Sequence, residues 1–528
     1  MKTYLTPTRK QFNELDLLPR YDRSLVEYGK YNEHIGHAGV KYSMAVQATR
    51  GCPYRCFYCD VYKTTKHHFR RSVDNIFDEV KAIADMGVKR IEFIDDIFNV
   101  KAKDFVEFFN KVIKHNLNVK FFFPTALKGD LLTKEVIDVM MQGGAIGVNV
   151  SLESASPRMQ KVMRKNLDIE KFGENLEYIC NNYPQAVTTL NTMHGFPTET
   201  EKEAMMTLNF IKKMKWVHFP YVHVVRIFPG TDLEKFALNH GVPRKAISES
   251  IDKSYHEVTP TLPFKPEFTR KYKLEFLREY VLNKERLLKV LPTQMKYFTE
   301  DELSQKYRSY FPQKINQFSD LLKLAKIKID ELGVKKCLDE NEIRIPNFKT
   351  KIEKKFPTKP KKNDALKVLL VNISTYFTKD RDISEYDVLE PPLGLIALLS
   401  YANHIFGEKI NGKIIKSRVD FDNYQELDKI IKEFNPDIID IRKGTSEFEE
   451  SIRSKTFLIL LKKALSRLAD GGYMFIQLPK IQVGDSMSVG DEVLAELSDY
   501  LSGKGFTLHP TQVQSARGKA IVITKDVI

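Results

Sequence analysis

Six short apolar segments alternate with helical patterns between residues 41 and 240, and this alternation most constrains what the chain can fold into. The segments recur every ~30 to 40 residues, enough for a strand and a crossover helix in each unit. Between two of them, residues 101–116 place phenylalanines on one helical face. The predicted strands are 43–49, 90–95, 120–125, 146–151, 186–192 and 221–227. The pattern predicts an α/β fold of six parallel strands, closed into a barrel or partial barrel.

A second α/β pattern follows in the last third of the chain. Predicted strands are 366–374, 413–420, 437–442 and 473–479, with helices at 394–406, 424–434, 457–469 and 487–503 and a final hairpin-like pair, FTLHPTQ and KAIVITK. This order predicts an open, doubly wound Rossmann-like sheet. We therefore expect a lead-in (1–40), a barrel core (41–260), a helical extension (261–350), a basic linker (351–364) and a Rossmann-like domain (365–528).

Three of the five cysteines are crowded into GCPYRCFYCD, directly after the first predicted strand. Cys52, Cys56 and Cys59 have the spacing C-x3-C-x2-C, and in such a barrel the loops after the strands carry the chemistry. Three thiolates can hold three corners of a cubane iron–sulfur cluster, whose usual complement is four. A missing fourth ligand leaves one iron open, as a catalytic metal site requires. A Cys3His zinc site completed by His67 or His68 is the alternative. Cys180 and Cys337 are expected to be structural thiols, with hydrogen donation to a radical as their alternative role.

Charge and hydropathy indicate the partners and the cellular compartment of the protein. The net charge of +14 favours anionic partners, and positive charge peaks locally in the predicted linker. The longest apolar runs are far shorter than the ~20 residues that cross a bilayer, and the amino-terminal residues lack the apolar core of a signal peptide. We expect a cytoplasmic protein with no membrane partner, in a compartment where clustered cysteines favour metal binding over disulfides.

At these cysteines the chain resembles the radical S-adenosylmethionine (SAM) superfamily. The C-x3-C-x2-C motif after the first strand of a (β/α)6 partial TIM barrel is that superfamily's signature. The resemblance implies a [4Fe-4S] cluster and SAM as cofactors, with SAM chelating the open iron. It implies reductive cleavage of SAM to methionine and a 5′-deoxyadenosyl radical, which abstracts hydrogen from a substrate. It also implies an electron donor such as flavodoxin or ferredoxin.

Further positions match the family's SAM contacts. The resemblance places the ring of Tyr58 against adenine and Asp95 or Asp96 near the SAM amino group, with an ordinary helix cap as the alternative for either aspartate. It pairs Glu153 with Arg164 around the polar groups of SAM. Gly195 lies where the family's backbone approaches adenine, a place that suits a residue without a Cβ.

Other segments resemble the cobalamin-dependent radical SAM subfamily, which contains many methylases. These segments are RGCPYRCFYCDVYK, IEFIDDIFNV and GFPTETEKE in the core, and LKVLLVNIS, EPPLGLIALLSYA and FNPDIIDI after residue 365. The order of the two domains is reversed relative to that subfamily, and no D-x-H-x-x-G motif is present. Beyond about residue 455 the chain resembles the last strands of a SAM-dependent Rossmann methyltransferase, without its glycine-rich loop.

Three functions stay open from the sequence. The first is a cobalamin-dependent radical SAM methylase of natural-product or secondary metabolism. The second is a cobalamin-free radical SAM epimerase, cyclase or oxidase. The third is a non-catalytic iron–sulfur docking protein. The expected substrate is a small molecule, a peptide or a carrier-bound group; nucleic acid is not expected, because there is no second cysteine triad.

Overall fold

The six predicted strands of the core form one parallel sheet in a computed structural model of the chain, which describes residues 4–5, 12–65, 67–251, 257–373, 389–443, 473–478, 506–515 and 518–525. The strands lie in chain order and every neighbouring pair is parallel. They are β1 (Ser43–Val46), β2 (Arg90–Phe93), β3 (Lys120–Leu127), β4 (Ala145–Glu153), β5 (Val187–His194) and β6 (Phe219–Val224). The predicted fold class is confirmed for this part of the chain.

Helices cover the outer face of this sheet because their apolar residues repeat with the helical period. They are α1 (Val73–Asp85), α2 (Ala102–Lys114), α3 (Lys134–Gln142), α4 (Pro157–Met163), α5 (Ile169–Asn182), α6 (Glu201–Lys213), α7 (Asp232–Asn239) and α8 (Arg244–Ile251). The predicted stripe on α2 is buried through Phe105, Phe108 and Phe109. These rings contact phenylalanines of β2 and β3 at centroid distances of 5.4 to 6.3 Å. This aromatic layer fixes the sheet against its helices.

The helical extension packs on the end of the barrel. It contains α9 (Pro266–Glu275), a π-helical turn (Phe276–Val281), α10 (Lys284–Tyr297), α11 (Glu300–Arg308), α12 (Phe318–Ala325) and α13 (Phe348–Lys355). A buried pair joins it to β2, since Arg90 Nη1 lies 2.6 Å from Glu302 Oε1 on α11. The first residues of the predicted linker belong to α13, where Ile352 is buried. Across the described residues we find no helix with the length and apolarity that a bilayer span requires.

The carboxy-terminal part contains a second, mostly parallel sheet, as predicted. Its elements are β7 (Leu366–Ile373), α14 (Leu393–Phe406), β8 (Ile410–Lys416), α15 (Tyr424–Phe434), β9 (Ile438–Lys443), β10 (Tyr473–Leu478), β11 (Phe506–Ser515) and β12 (Gly518–Lys525). The spatial order is β11-β12-β10-β9-β7-β8, with β12 antiparallel to both neighbours and residues 4–5 paired alongside β11. The helices predicted at 457–469 and 487–503 lie outside the described residues.

Two carboxyl groups, the buried Glu92 and the partly buried Glu390, lie where the second sheet meets the barrel. Glu92 on β2 accepts hydrogen bonds from Ser43 and from the backbone N–H of Ala38, and Glu390 accepts one from the N–H of His37. A Cβ placed on Gly36 would lie 2.5 Å from Glu92 Oε1 and 2.8 Å from Glu390 Oε1, so the two groups meet at this glycine. Burial, and for Glu92 the charge of Glu390, raises the pKa of each to about 7. The two carboxyl groups therefore stay protonated at pH values at which exposed glutamates are ionised.

Candidate active site

The three clustered cysteines lie together on the loop after β1, at the carboxyl end of the barrel strands. All three are free thiols and partly buried. Burial, together with the charge of Cys56, raises the pKa of Cys52 to about 11 and that of Cys59 to about 12. Cys56 therefore lies near both other thiols of the loop.

The surroundings of these thiols do not resemble a zinc site. Among the residues that the structure describes, no three His, Cys, Asp or Glu side chains converge as ligands of one ion. His67 is exposed and lies against Phe69, and His68 Nε2 lies 3.2 Å from the carbonyl oxygen of Ile97. The predicted Cys3His alternative therefore has no geometric support. Three thiolates on three corners of a cubane bind different irons and need not converge on one point.

Backbone contacts hold the cysteine loop across the mouth of the barrel. The N–H of Phe57 donates to the Met163 carbonyl oxygen (3.0 Å), and the N–H of Leu233 donates to the carbonyl oxygen of Phe57 (2.8 Å). The Phe57 ring stacks on Phe196 at 5.7 Å. The segments after β4, β5 and β6 thus all anchor the loop that carries the thiols.

The two predicted aspartates after β2 differ in what they contact. Asp95 is buried; it accepts a hydrogen bond from Thr49 Oγ1 (2.6 Å) and others from the N–H groups of Thr49 and Ala48. Burial raises its pKa to about 6, although these hydrogen bonds lower it. Its carboxylate is therefore used to hold the end of β1. Asp96 is half-buried and accepts from the N–H of Gly51 at 3.0 Å, so it lies directly beside the cysteine loop. Of the pair, Asp96 is better placed to contact a cofactor.

Glu153, at the end of β4, is paired with Lys165 and not with Arg164. Lys165 Nζ lies 2.7 Å from Glu153 Oε1 and 3.3 Å from the Tyr58 hydroxyl, which itself donates to Glu153 Oε1 at 3.2 Å. Glu153 is buried and has a φ of 65°, a conformation that is strained for a residue with a Cβ. These three side chains form one network beside Cys56, whose pKa is affected by both Lys165 and Glu153.

Glu153 and Arg164 do not contact each other in the structure, and their joint role around the polar groups of SAM stays a prediction. Arg164 caps α4 in the left-handed conformation, with a φ of 53°, and its guanidinium Nη2 lies 2.5 Å from Asp232 Oδ2 on α7. The Tyr62 hydroxyl donates to the same carboxylate at 2.9 Å. Arg164 therefore ties α4 to α7 on a half-exposed rim, and the next residue, Lys165, reaches the site.

Gly195 lies where a Cβ would not fit, but the group that leaves no room for it is the side chain of Leu262 and not adenine. Its φ is 92°, and a Cβ would lie 2.2 Å from Leu262 Cδ2. Its N–H donates to Glu199 Oε2 at 2.6 Å. Burial raises the pKa of Glu199 to about 8, although hydrogen bonds from the Gly195 and Phe196 N–H groups lower it. The predicted approach of the Gly195 backbone to adenine stays a prediction.

A cavity of about 550 Å³ lies inside the barrel below the cysteine loop. Polar side chains of β4, β5 and β6 line its wall, including Asn149, Asn191, Tyr221 and His223. Asn191 Nδ2 donates to Asn149 Oδ1 and Asn149 Nδ2 donates to the Pro124 carbonyl oxygen, both at 2.7 Å. The sequence analysis did not single out these residues, although alternate polar positions within NVS, LNT and YVHV signal a strand face that lines a polar space.

Comparisons with known proteins agree with this geometry. Residues 46–211 match the family model described as the Radical SAM superfamily. The chain is 25% identical over 235 residues to an uncharacterised methyltransferase of Pyrococcus horikoshii, covering 44% of this chain and 49% of the relative. It is 27% identical over 210 residues to a tRNA-2-methylthio-N(6)-dimethylallyladenosine synthase of Aquifex aeolicus, covering 38% and 46%. The chain spans about half the length of these curated relatives.

Among solved structures, the chain is similar to TsrM of Kitasatospora setae, a radical SAM methyltransferase solved with cobalamin and a [4Fe-4S] cluster bound. The TM-score is 0.35 and the identity 17%, and 40% of each chain is covered. A structure of the cobalamin-dependent SAM radical enzyme OxsB has a TM-score of 0.29 and 18% identity, covering 45% of this chain and 36% of that one.

Proposed function

We propose that this chain is a radical SAM enzyme with Cys52, Cys56 and Cys59 as ligands of a [4Fe-4S] cluster. The match of residues 46–211 to the Radical SAM superfamily, whose members use this cluster and SAM, supports the proposal. The observation that carries the proposal is the grouping of three free thiols on one anchored loop above the barrel cavity. The donor set fits the cluster, because three thiolates satisfy three irons and leave one for SAM.

When bound, such a cluster supplies the electron that cleaves SAM into methionine and a 5′-deoxyadenosyl radical. In our proposal the protein side chains orient SAM and exclude water. Glu153 is held by Lys165 and Tyr58 within 3.2 Å and offers an oriented carboxylate for the SAM amino group. Asp96 offers a second one. Phe57 and Phe196 cover the loop with aromatic surface and keep water from the reacting atoms.

The finer proposal is a cobalamin-dependent methylase. Two observations support it: a curated relative is named a methyltransferase, and the chain carries a second doubly wound sheet after the barrel. In such sheets a ligand binds at the carboxyl ends of the strands, where the order reverses between β7 and β9. The loops after these strands, 374–388 and 444–472, lie outside the described residues, so no corrinoid contact is assigned.

A cobalamin-free radical enzyme is the second candidate, and one observation favours it. Strand β12 runs antiparallel between β10 and β11, so the sheet is not the purely parallel kind that the ligand-binding rule describes best. The sheet would then serve as a scaffold. Methylthiolation of tRNA, the reaction of several relatives, is less favoured, because only two cysteines remain outside the triad.

Two measurements test these proposals. The iron-reconstituted chain, reduced under anaerobic conditions with SAM, should form 5′-deoxyadenosine; if none forms although the cluster is intact, the radical SAM proposal fails. The second is an anaerobic absorption spectrum after incubation with hydroxocobalamin and desalting. Retention of about one equivalent of corrinoid supports the methylase, and an iron–sulfur spectrum without corrinoid supports the cobalamin-free enzyme.

A further inference from the structure

The lower end of the barrel cavity is lined by segments that lie outside the family match. His37 and Ala38 of the lead-in and Phe298, Lys306 and Ser309 of the extension line the cavity, although the match covers only residues 46–211. Lys306 and Phe298 lie near Phe219, at the amino end of β6. What this end recognises is therefore a property of this chain and not of the domain in general.

Lys306 places a positive charge at the amino end of the barrel cavity. The residue is buried, and its Nζ lies 5.2 Å from the ring centroid of Phe219 and 4.9 Å from that of Phe298. An ammonium group has three N–H donors. Among the described residues it makes one hydrogen bond, to the carbonyl oxygen of Ala38 at 2.8 Å. The described residues therefore offer an acceptor to one of its three donors, and an anion bound in the cavity would accept from the others.

The acidic groups that face Lys306 are already used elsewhere. Glu302 Oε1 accepts from Arg90 and from the N–H of Lys41, and its Oε2 accepts from the N–H of Thr299. Glu92 accepts from Ser43 and the N–H of Ala38. Neither carboxylate lies within ion-pair distance of Lys306 Nζ in the described part of the chain. Burial lowers the pKa of Lys306 to about 8, while Glu302 and Glu92 raise it and Arg90 lowers it, so the group is mostly charged at neutral pH.

We propose that Lys306 binds an anionic group, a carboxylate or a phosphate, at the far end of an elongated substrate. Phe219 and His223 of β6 both line the cavity and are four residues apart, or ~13 Å along a parallel strand. The anion at Lys306 would thus lie near the amino end of β6, opposite the end that carries the cysteine loop, with the apolar part of the substrate against Phe122 and Phe219. This inference rests on the proposed function in one respect, because it takes the cysteine loop as the place where the other end of the substrate reacts.

The competing explanation is that Lys306 only fastens the lead-in to the barrel. A Cβ on Gly39 would lie 2.3 Å from Lys306 Nζ, and the ammonium holds the Ala38 carbonyl group, so residues 38–39 are packed on this side chain. A purely structural lysine would not discriminate among ligands by charge, and the test is built on that difference.

The first experiment uses the unmodified, iron-reconstituted full chain. Isothermal titration calorimetry at pH 7 measures binding of 3-phenylpropanoate, phenyl phosphate and the neutral 3-phenylpropanamide. We expect at least one anion to bind about tenfold or more tightly than the amide. The stronger anion then assigns the substrate end as a carboxylate or a phosphate. Equal affinity for all three probes, or no binding of either anion, would overturn the proposal.

Variants locate that binding. Lys306→Met should weaken binding of the anion about 10- to 100-fold and leave the amide unchanged, whereas Lys306→Arg should keep it within a few-fold. Lys296→Met is the matched control, since Lys296 is an exposed extension lysine whose ammonium lies 5.5 Å from the Tyr297 ring. Unchanged anion affinity in Lys306→Met would contradict the assignment, and if that variant does not fold, Lys306→Arg and the three-probe comparison decide. Binding needs neither reductant nor SAM, so a chain that binds the anion but cannot cleave SAM would refute only the proposed function.

Discussion

Charged side chains are partnered differently at the two ends of the barrel. At the carboxyl end, Glu153 lies 2.7 Å from Lys165, and Arg164 lies 2.5 Å from Asp232. At the amino end, Lys306 forms no ion pair among the described residues, and the carboxyl groups of Glu92 and Glu390 meet each other. The comparison teaches that these two ion pairs at the carboxyl end are complete within the protein before any cofactor binds. The amino end depends on protons or a ligand for its balance.

The largest effect is expected at the carboxyl end, from the cysteine loop. Cys52→Ala, Cys56→Ala or Cys59→Ala should each abolish 5′-deoxyadenosine formation, because two thiolates remain for a cluster that needs three. Cys180→Ala is the control: its sulfur lies 3.6 Å from Thr188 Oγ1 on the outer side of β5 and should not matter. The measurement is 5′-deoxyadenosine by chromatography, alongside iron content. Activity retained in any of the three loop variants contradicts the ligand assignment.

The next effect concerns the neutralised pair at Glu153. Glu153→Ala should weaken SAM binding by about 10- to 100-fold while iron content stays unchanged, because a hydrogen-bonding charge is lost. Arg164→Ala should change SAM affinity by only a few-fold, since its partner is Asp232 on the half-exposed rim. Equilibrium dialysis with labelled SAM measures both. Equal losses in the two variants would show that Arg164 contributes to SAM binding as much as Glu153, as the resemblance implies.

A third prediction separates Asp95 from Asp96. Asp95→Ala should lower the free energy of unfolding by about 1 to 3 kcal/mol, because the Thr49 hydroxyl and two backbone N–H groups lose a buried acceptor. Asp96→Ala should be nearly neutral for stability and should weaken SAM binding. Urea denaturation and the dialysis assay check both. A stability loss for Asp96→Ala as large as for Asp95→Ala would show that both residues are structural.

The smallest effect is expected from protons at the amino end. Glu92 and Glu390 have pKa values of about 7 in the fold, above the ordinary 4.5. The native state therefore binds more protons than the unfolded chain between these values, and its free energy of unfolding should fall as pH rises from about 4.5 to 7. Glu92→Gln should make this fall in the free energy of unfolding shallower, by on the order of 1 kcal/mol per pH unit.

Glu79 provides the matched control for that slope. It is equally buried, but Arg71 and Arg23 lower its pKa against the effect of burial. The stability that Glu79 contributes is present above the ordinary glutamate pKa and is lost as pH falls through the lowered one. Glu79→Gln should therefore leave the fall between pH 4.5 and 7 in place. Denaturation curves at several pH values measure the slopes, and identical slopes for Glu92→Gln and the unmodified chain would refute the shared-proton interpretation.

The sequence predicted the repeat of strands well and the side-chain pairs poorly. All six barrel strands lie within a few residues of their predicted bounds, because apolar period and length are local properties. The partner of Glu153 could not be found by spacing, since the left-handed conformation of Arg164 reverses the chain just before Lys165. The family resemblance made Asp95 a candidate contact of SAM. The sequence could not show its contact with Thr49, because the two residues are 46 positions apart. Lys306 is 268 positions from Ala38, and only the closed barrel shows that they share a cavity.

The closure of the cavity by residues 298–309 also has a consequence for biosynthesis. On the ribosome, the last barrel strand is complete at residue 224, but the segment that lines the lower end of its cavity is made ~80 residues later, about 4 to 16 seconds at ordinary elongation rates. During that interval Phe122 and Phe219 face an open lumen. The nascent barrel is therefore exposed to aggregation until α11 emerges, so a truncation before this helix should need a chaperone that the full chain does not.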